Sequence, residues 1–302
     1  MKAFVPGIYP RSEALVQATR DLDRGRTTHE AVDEQIERDR TELLAVQRQA
    51  GLDLLSDGML TWQDLFRPIL ETADGLEPAA LTRFLDTNTF YRAPHATTAT
   101  PKLSTPLDQR YVAPVGGPRV VTLPSPLALS KGTGVEAATI ATEVLKPQLD
   151  ALEADLVVLV EPFLPRDESD GIPELASALG PLAGGPKLAL WLTFGDARKL
   201  LEGGAAELPV DAIGIDFYAT HLADVPKGLD KLLLAGVVDA RSSTLEDPRE
   251  LAEFAERLQN EREVAQLALV PNGDLQFVSE RFAREKVLRL GAAKTATVEA
   301  AA

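Results

Sequence analysis

The 302-residue chain contains no cysteine. That absence excludes disulfides, thiolate nucleophiles and every metal site built on sulfur, and it is compatible with a reducing compartment. Long apolar runs are missing too. None approaches the roughly 20 residues needed to span a bilayer, and the opening Met1-Lys2-Ala3-Phe4-Val5-Pro6-Gly7 lacks the apolar stretch of a signal peptide. No Lys/Arg run offsets the net charge of −15, so the surface repels phosphate backbones. The expectation is a cytoplasmic protein that binds neither nucleic acid nor membrane. The 3 histidines, His29, His95 and His221, have no second His or Cys at ligand spacing. No nucleophile elbow, Walker loop or dinucleotide fingerprint occurs; Gly132-Thr133-Gly134 is a lone short match.

A hydrophobic content of 45% supports a packed core. Continuous branched runs such as Leu156-Val157-Val158-Leu159-Val160 are what a parallel strand covered on both faces requires. Similar runs lie at 188–192, 212–215, 233–238 and 267–270, and the first half adds plausible strands at 2–5, 53–56 and 119–123. Helical patterns separate them. Asp247-Pro248-Arg249-Glu250 is a capped start with Pro at the first helical position, and Thr27-Thr28-His29-Glu30 opens a long helix. Eight strands alternating with helices predict an α/β fold: a single (β/α)8 TIM barrel over residues 1–291, with a helical N-terminal insertion. A doubly wound open sheet is the alternative. Residues 92–118, rich in Pro, Thr and Gly, read as a long loop, and 292–302 as a flexible tail.

In a barrel the working residues sit at the C-terminal strand ends. Those ends read Gly7-Ile8-Tyr9-Pro10-Arg11-Ser12, Ser56-Asp57-Gly58, Pro124-Ser125-Pro126, Glu161-Pro162, Thr193-Phe194-Gly195-Asp196, Asp216-Phe217-Tyr218, Asp239-Ala240-Arg241 and Asn272-Gly273-Asp274. Carboxylates recur at nearly every one. They suit a cationic or hydroxylated ligand, a hard cation or acid–base work; equally, they suit capping of the helix that follows each strand.

Taken in order, these motifs resemble the cobalamin-independent methionine synthase family, within the wider group that includes uroporphyrinogen decarboxylase. The first-strand loop from Gly7 to Ser12 is similar, as is the approach Gln47-Arg48-Gln49-Ala50-Gly51-Leu52-Asp53-Leu54-Leu55-Ser56-Asp57-Gly58. Asp86-Thr87-Asn88-Thr89-Phe90-Tyr91-Arg92-Ala93-Pro94 resembles a signature of the family's N-terminal barrel. Leu123-Pro124-Ser125-Pro126-Leu127-Ala128-Leu129-Ser130-Lys131 and Gly236-Val237-Val238-Asp239-Ala240-Arg241 match that same barrel.

The resemblance implies methyl transfer from a methylated folate, or another methyl donor, toward homocysteine. In the family the C-terminal barrel carries that chemistry on a zinc held by His, two Cys and a Glu. Here Leu190-Trp191-Leu192-Thr193-Phe194-Gly195 offers neither His nor Cys, the second Cys position falls near Pro271-Asn272-Gly273-Asp274, and Asp216 corresponds to the Glu. No metal and no resident cofactor are therefore expected. The expected partners are a small-molecule substrate, with a 5-methyltetrahydrofolate-type donor, and a separate zinc-bearing barrel. Asp57, Glu161 and Asp216 are the candidate catalytic residues; Arg11, Ser12, Asp86, Asn88, Asp239 and Arg241 are candidates for substrate binding. Two other readings stand beside this one: a zinc-independent decarboxylase-like enzyme recruiting Asp57, Glu161 and Arg11, and a non-catalytic barrel subunit.

Overall fold

A computed structural model describes residues 1–166 and 171–296. The chain opens with β1 (Lys2–Ala3) and then two helices, α1 (Glu13–Asp23) and α2 (His29–Gln49). Both start where the sequence supplies a cap: Ser12 Oγ accepts from the Leu15 amide and Thr28 Oγ1 from that of Ala31. A short helix, α3 (Arg67–Thr72), leads into β2 (Ala73–Asp74), β3 (Leu76–Arg83), β4 (Phe90–Ala96) and β5 (Lys102–Leu103). The rest alternates: β6 (Val120–Pro124), α4 (Pro126–Ser130), α5 (Ala137–Ile140), a π turn at Ala141–Leu145, α6 (Lys146–Asp150), β7 (Leu156–Glu161), α7 (Ile172–Leu179), β8 (Leu188–Leu192) and α8 (Arg198–Glu202). It closes with β9 (Ala212–Asp216), β10 (Leu232–Val238), α9 (Pro248–Arg262), β11 (Gln266–Pro271) and α10 (Glu280–Thr295).

Seven strands form one curled parallel sheet in the order β1-β11-β10-β9-β8-β7-β6. The eighth member of the circuit is residues 54 and 55, which join its two edges by single bridges, Phe4 with Leu54 and Leu55 with Arg119. All eight expected strands thus have a place in the barrel, although the one expected at 53–56 is reduced to those bridges. The apolar runs of β6, β7, β8 and β9 are buried at every residue, as strands packed between a barrel interior and a helical layer must be.

One device recurs at the foot of the barrel. Asp53 Oδ2 accepts from the Ala3 amide at 2.8 Å, Asp155 Oδ2 from Arg119 at 2.7 Å, and Asp211 Oδ2 from Leu188 at 2.8 Å. Each carboxylate leads one strand and satisfies a backbone donor at the start of a neighbouring one, which would otherwise face water unpaired.

Two expectations about irregular segments are corrected. Part of the predicted 92–118 loop is β-structure: β4 pairs antiparallel with β3 as a hairpin, and β5 pairs with β2. The predicted tail from 292 continues as α10 to Thr295; its remainder, 297–302, lies outside the described residues. No helix among the described residues is long and apolar enough to cross a membrane.

Candidate functional site

The register of the sheet decides which strand-end side chains share the barrel interior. Trp191 on β8 pairs with Gly214 on β9, and its indole is fully buried. Only glycine fits opposite it, since a Cβ at 214 would stand 2.4 Å from Trp191 Cδ1. On the far side, Gly7 donates its amide to Thr122 Oγ1 at 2.9 Å and lies against both Trp191 and Asp274. Side chains two residues further along a strand keep the same face, so Thr193 and Asp216 follow Trp191 and Gly214 toward the C-terminal mouth.

Asp216 has no exposed surface. Its Oδ1 accepts from the Tyr218 amide at 2.9 Å and from Asn272 Nδ2 at 3.0 Å, while Oδ2 has only the Arg241 guanidinium, at 3.5 Å. Burial pushes its pKa up; the hydrogen bonds and Arg241 oppose that rise. Asp239 accepts from the Arg241 amide at 3.0 Å, and Arg241 lies over the Phe194 ring at 5.3 Å. The structure therefore gathers three of the expected residues, Asp216, Asp239 and Arg241, at one edge of the mouth. Sequence reasoning missed what surrounds them. Asn272 orients Asp216 and also accepts from the Ala240 amide at 2.8 Å, and Glu246 holds the Asp239 amide at 2.8 Å. Asn272 stood in a strand-end motif, but its partner lies 56 residues away, where no local pattern shows it. Trp191 Nε1, Thr193 Oγ1 and Asp216 Oδ2 are buried without a hydrogen-bond partner.

The other two candidate catalytic carboxylates are elsewhere. Glu161 registers with Leu192, the opposite face from Trp191. It accepts from the Ser125 hydroxyl and from the Phe163 and Leu164 amides at 3.0 Å each, and burial raises its pKa. It lines a cavity of about 370 Å³ between α4 and α7, together with Lys131 and Glu174. Asp57 accepts from the Met59 amide at 3.0 Å and the Ala113 amide at 2.7 Å, and burial raises its pKa as well. Among the described residues no hydrogen bond or ion pair joins Asp57, Glu161 and Asp216.

Of the remaining expected binding residues, Ser12 caps α1 and donates to Asp39 Oδ1 at 2.9 Å. Asp86 pairs with Arg166 at 3.0 Å, and Asn88 Oδ1 accepts from Arg83 at 3.3 Å within the turn of the β3–β4 hairpin. Arg11 donates to the Leu60 and Trp62 carbonyls at 2.9 and 3.0 Å. It also lines a cavity of about 710 Å³ beside the first-strand loop, into which Arg20 and Arg281 open along with Glu13 and Glu280.

A thiolate zinc site does not fit the residues present. Where the resemblance puts its ligands stand Phe194, in ring contact with Phe84 and Phe277, and Asn272, whose oxygen and nitrogen are both engaged. No group of three or more His, Cys, Asp or Glu among the described residues is placed to hold a metal ion.

Residues 64–263 match the family described as "Cobalamin-independent synthase, N-terminal domain". Among curated proteins, the 5-methyltetrahydropteroyltriglutamate–homocysteine methyltransferase of Mycobacterium tuberculosis is 31% identical over 289 residues, 78% of this chain and 37% of the relative. The Mycobacterium leprae protein of the same name is 31% identical over 192 residues, covering 55% of this chain and 25% of the relative. The chain thus spans little more than a third of the first relative's length. Among solved structures, a B12-independent methionine synthase from a Shewanella species, in complex with selenomethionine, superposes with a TM-score of 0.65 at 18% identity, over 89% of this chain and 90% of that one. A Listeria monocytogenes protein assigned as a vitamin B12-independent methionine synthase gives 0.69 at 16% identity over 99% of both chains. At such identities the superpositions establish a shared barrel fold. The match over residues 64–263 and the mycobacterial relatives establish more: the chain belongs to the cobalamin-independent methionine synthase family, with its match in that family's N-terminal domain.

Proposed function

We propose that this chain serves methyl transfer toward homocysteine by binding a methylated folate, while a zinc-bearing chain activates the thiol. The observation that carries this reading is the arginine-lined cavity beside the first-strand loop. In a chain of net charge −15, Arg11, Arg20 and Arg281 all line one opening of about 710 Å³, with Glu13 and Glu280 beside them. Guanidinium groups pair bidentately with carboxylates, and a folate tail carries several. The carbonyls of Leu60 and Trp62 hold Arg11 by two of its nitrogens, which fixes the direction of the rest of the group. The absence of a fitting zinc site is why the thiol-activating step is assigned to another chain.

Calorimetric titration with 5-methyltetrahydrofolate bearing a glutamate tail tests this, with the chain alone and mixed with a zinc-bearing synthase barrel. Micromolar to millimolar binding that weakens with salt and with Arg281→Gln is expected. No heat in either arm overturns the proposal. Stoichiometric zinc in the purified chain overturns the assignment of the metal to a partner.

The second reading, a barrel without catalysis, draws on the closed mouth: Phe84 fills it with an exposure of 6%. The decarboxylase-like reading has less support, because among the described residues no hydrogen bond or ion pair joins Asp57, Glu161 and Arg11.

A further inference from the structure

Phe84 directly follows β3, and its ring reaches over the top of the barrel. Ring centroids lie 6.1 Å from Phe163 after β7, 5.5 Å from Phe194 after β8 and 6.4 Å from Phe277 after β11. In the sheet order β7 and β11 are four steps apart, which in an eight-membered circuit is diametrically opposite. One side chain from the hairpin therefore bridges the mouth. Beneath the mouth are the buried Trp191 Nε1 and Thr193 Oγ1, without a hydrogen-bond partner among the described residues, and Asp216 Oδ2, which has no hydrogen bond and only the Arg241 ion pair at 3.5 Å.

The rest of the hairpin is seated mainly through β4, where Pro94 is buried, the Tyr91 ring lies 5.4 Å from that of Phe66 and the Arg92 amide donates to the buried Asp64 Oδ2 at 3.1 Å. β3 is buried at Leu76 only, and Leu81 and Phe90 are largely exposed. The turn past Phe84 holds Leu85 at a φ of +50°, a conformation that branched side chains adopt at a cost. Outside the ring cluster, the hairpin turn is tied down by the exposed Asp86–Arg166 pair. A two-stranded ribbon outside the main sheet is marginal by itself and opens more readily than the barrel strands.

We propose that the β3–β4 hairpin is a lid, seated by Phe84 and latched by Asp86 on Arg166, that lifts to admit a small polar ligand to Trp191, Thr193 and Asp216. It lifts while the barrel stays folded. The proposal does not rest on the folate reading, since the folate cavity lies beside the first-strand loop and the lid is tested without any ligand.

Because the chain has no cysteine, a single thiol can report the opening. Thr193→Cys places it under the lid, and Ala255→Cys, buried on α9, serves as the control. Both variants are labelled with a chromogenic aromatic disulfide across a range of low urea concentrations. The expected result is that Thr193→Cys labels with little dependence on urea, whereas the control labels only along the steep line of global unfolding. Adding Phe84→Ala should accelerate the first by at least about tenfold in the absence of urea, where the control, which needs global unfolding, stays close to unlabelled; Asp86→Asn should accelerate it about two- to fivefold, the scale of an exposed ion pair. Labelling of both thiols along the same steep line overturns the lid, as does labelling of Thr193→Cys in the absence of urea that Phe84→Ala does not accelerate. Should Thr193→Cys fail to fold, acrylamide quenching of Trp191 in a Trp62→Phe background reads the same opening, and a quenching constant unmoved by Phe84→Ala overturns it.

Discussion

Lys286 and Glu246 form an enclosed ion pair: the Lys286 side chain has no exposed surface, and its Nζ lies 2.9 and 3.0 Å from the two oxygens of Glu246. Glu246 Oε1 also accepts from the Asp239 amide and from the Tyr218 hydroxyl at 3.2 Å. A lysine on α10 thereby fixes a carboxylate that fixes the loop presenting Asp239 and Arg241.

Breaking that pair from one side should be costly, because it strands a buried charge. Lys286→Met is expected to lower stability by about 3–5 kcal/mol in urea unfolding. Adding Glu246→Gln should recover part of the loss, since the stranded charge goes with it. A single variant within about 0.5 kcal/mol of the parent would contradict the pairing.

Asp274 predicts a pH dependence. Burial raises its pKa from 3.8 to about 6, against the pull of the Ile8 amide and Gln276. A carboxyl that binds its proton more tightly when folded stabilises the fold below about pH 4 and loses that contribution as the pH rises through about 6. Two pH units correspond to no more than about 3 kcal/mol. Asp274→Asn should therefore gain stability relative to the parent between pH 4 and pH 7, read as the difference between their urea midpoints at each pH. An unchanged difference across that range would remove the assignment.

Gly7 is held at φ +83° with Asp274 Oδ1 only 2.0 Å from where a Cβ would stand. Gly7→Ala pays twice, in backbone strain and in displacing a buried carboxylate. A loss of at least about 2 kcal/mol is expected in thermal or urea unfolding, with no change in oligomeric state.

The aspartates at the barrel foot should each contribute modestly. Asp155→Ala removes the acceptor of the Arg119 amide and is expected to cost about 1 kcal/mol, with Asp155→Asn costing less. Equal losses for the two would point to charge rather than the hydrogen bond.

The strands were legible because burial on both faces writes an unbroken apolar run, as at Leu188–Leu192. The hairpin was not. β3 and β4 are largely exposed, carry Pro78 and Pro94, and shift register between Pro78 and Leu81, so alternation never develops. That concealment also hid the meaning of Asp86 and Asn88, which the resemblance marked as binding residues and which stand in a hairpin turn over the mouth. Asp216, Asp239 and Arg241 were legible by position, each falling at or just past a strand end. Glu161 shares that position yet faces outward, because one residue of register moves a side chain to the other face of a sheet.

The seam at residues 54 and 55 has a mechanical consequence. Neighbouring strands from β6 to β11 are stitched by four to six registered pairs each, but the circuit is completed there by one bridge on either side. Such a barrel is less a hoop than a split ring, stitched firmly from β6 to β11 and closed only by the two pairs of β1 with β11 and the bridges at 54 and 55. Load on the mouth would therefore fall first on those few pairs, the strands from β6 to β11 being held by four to six each.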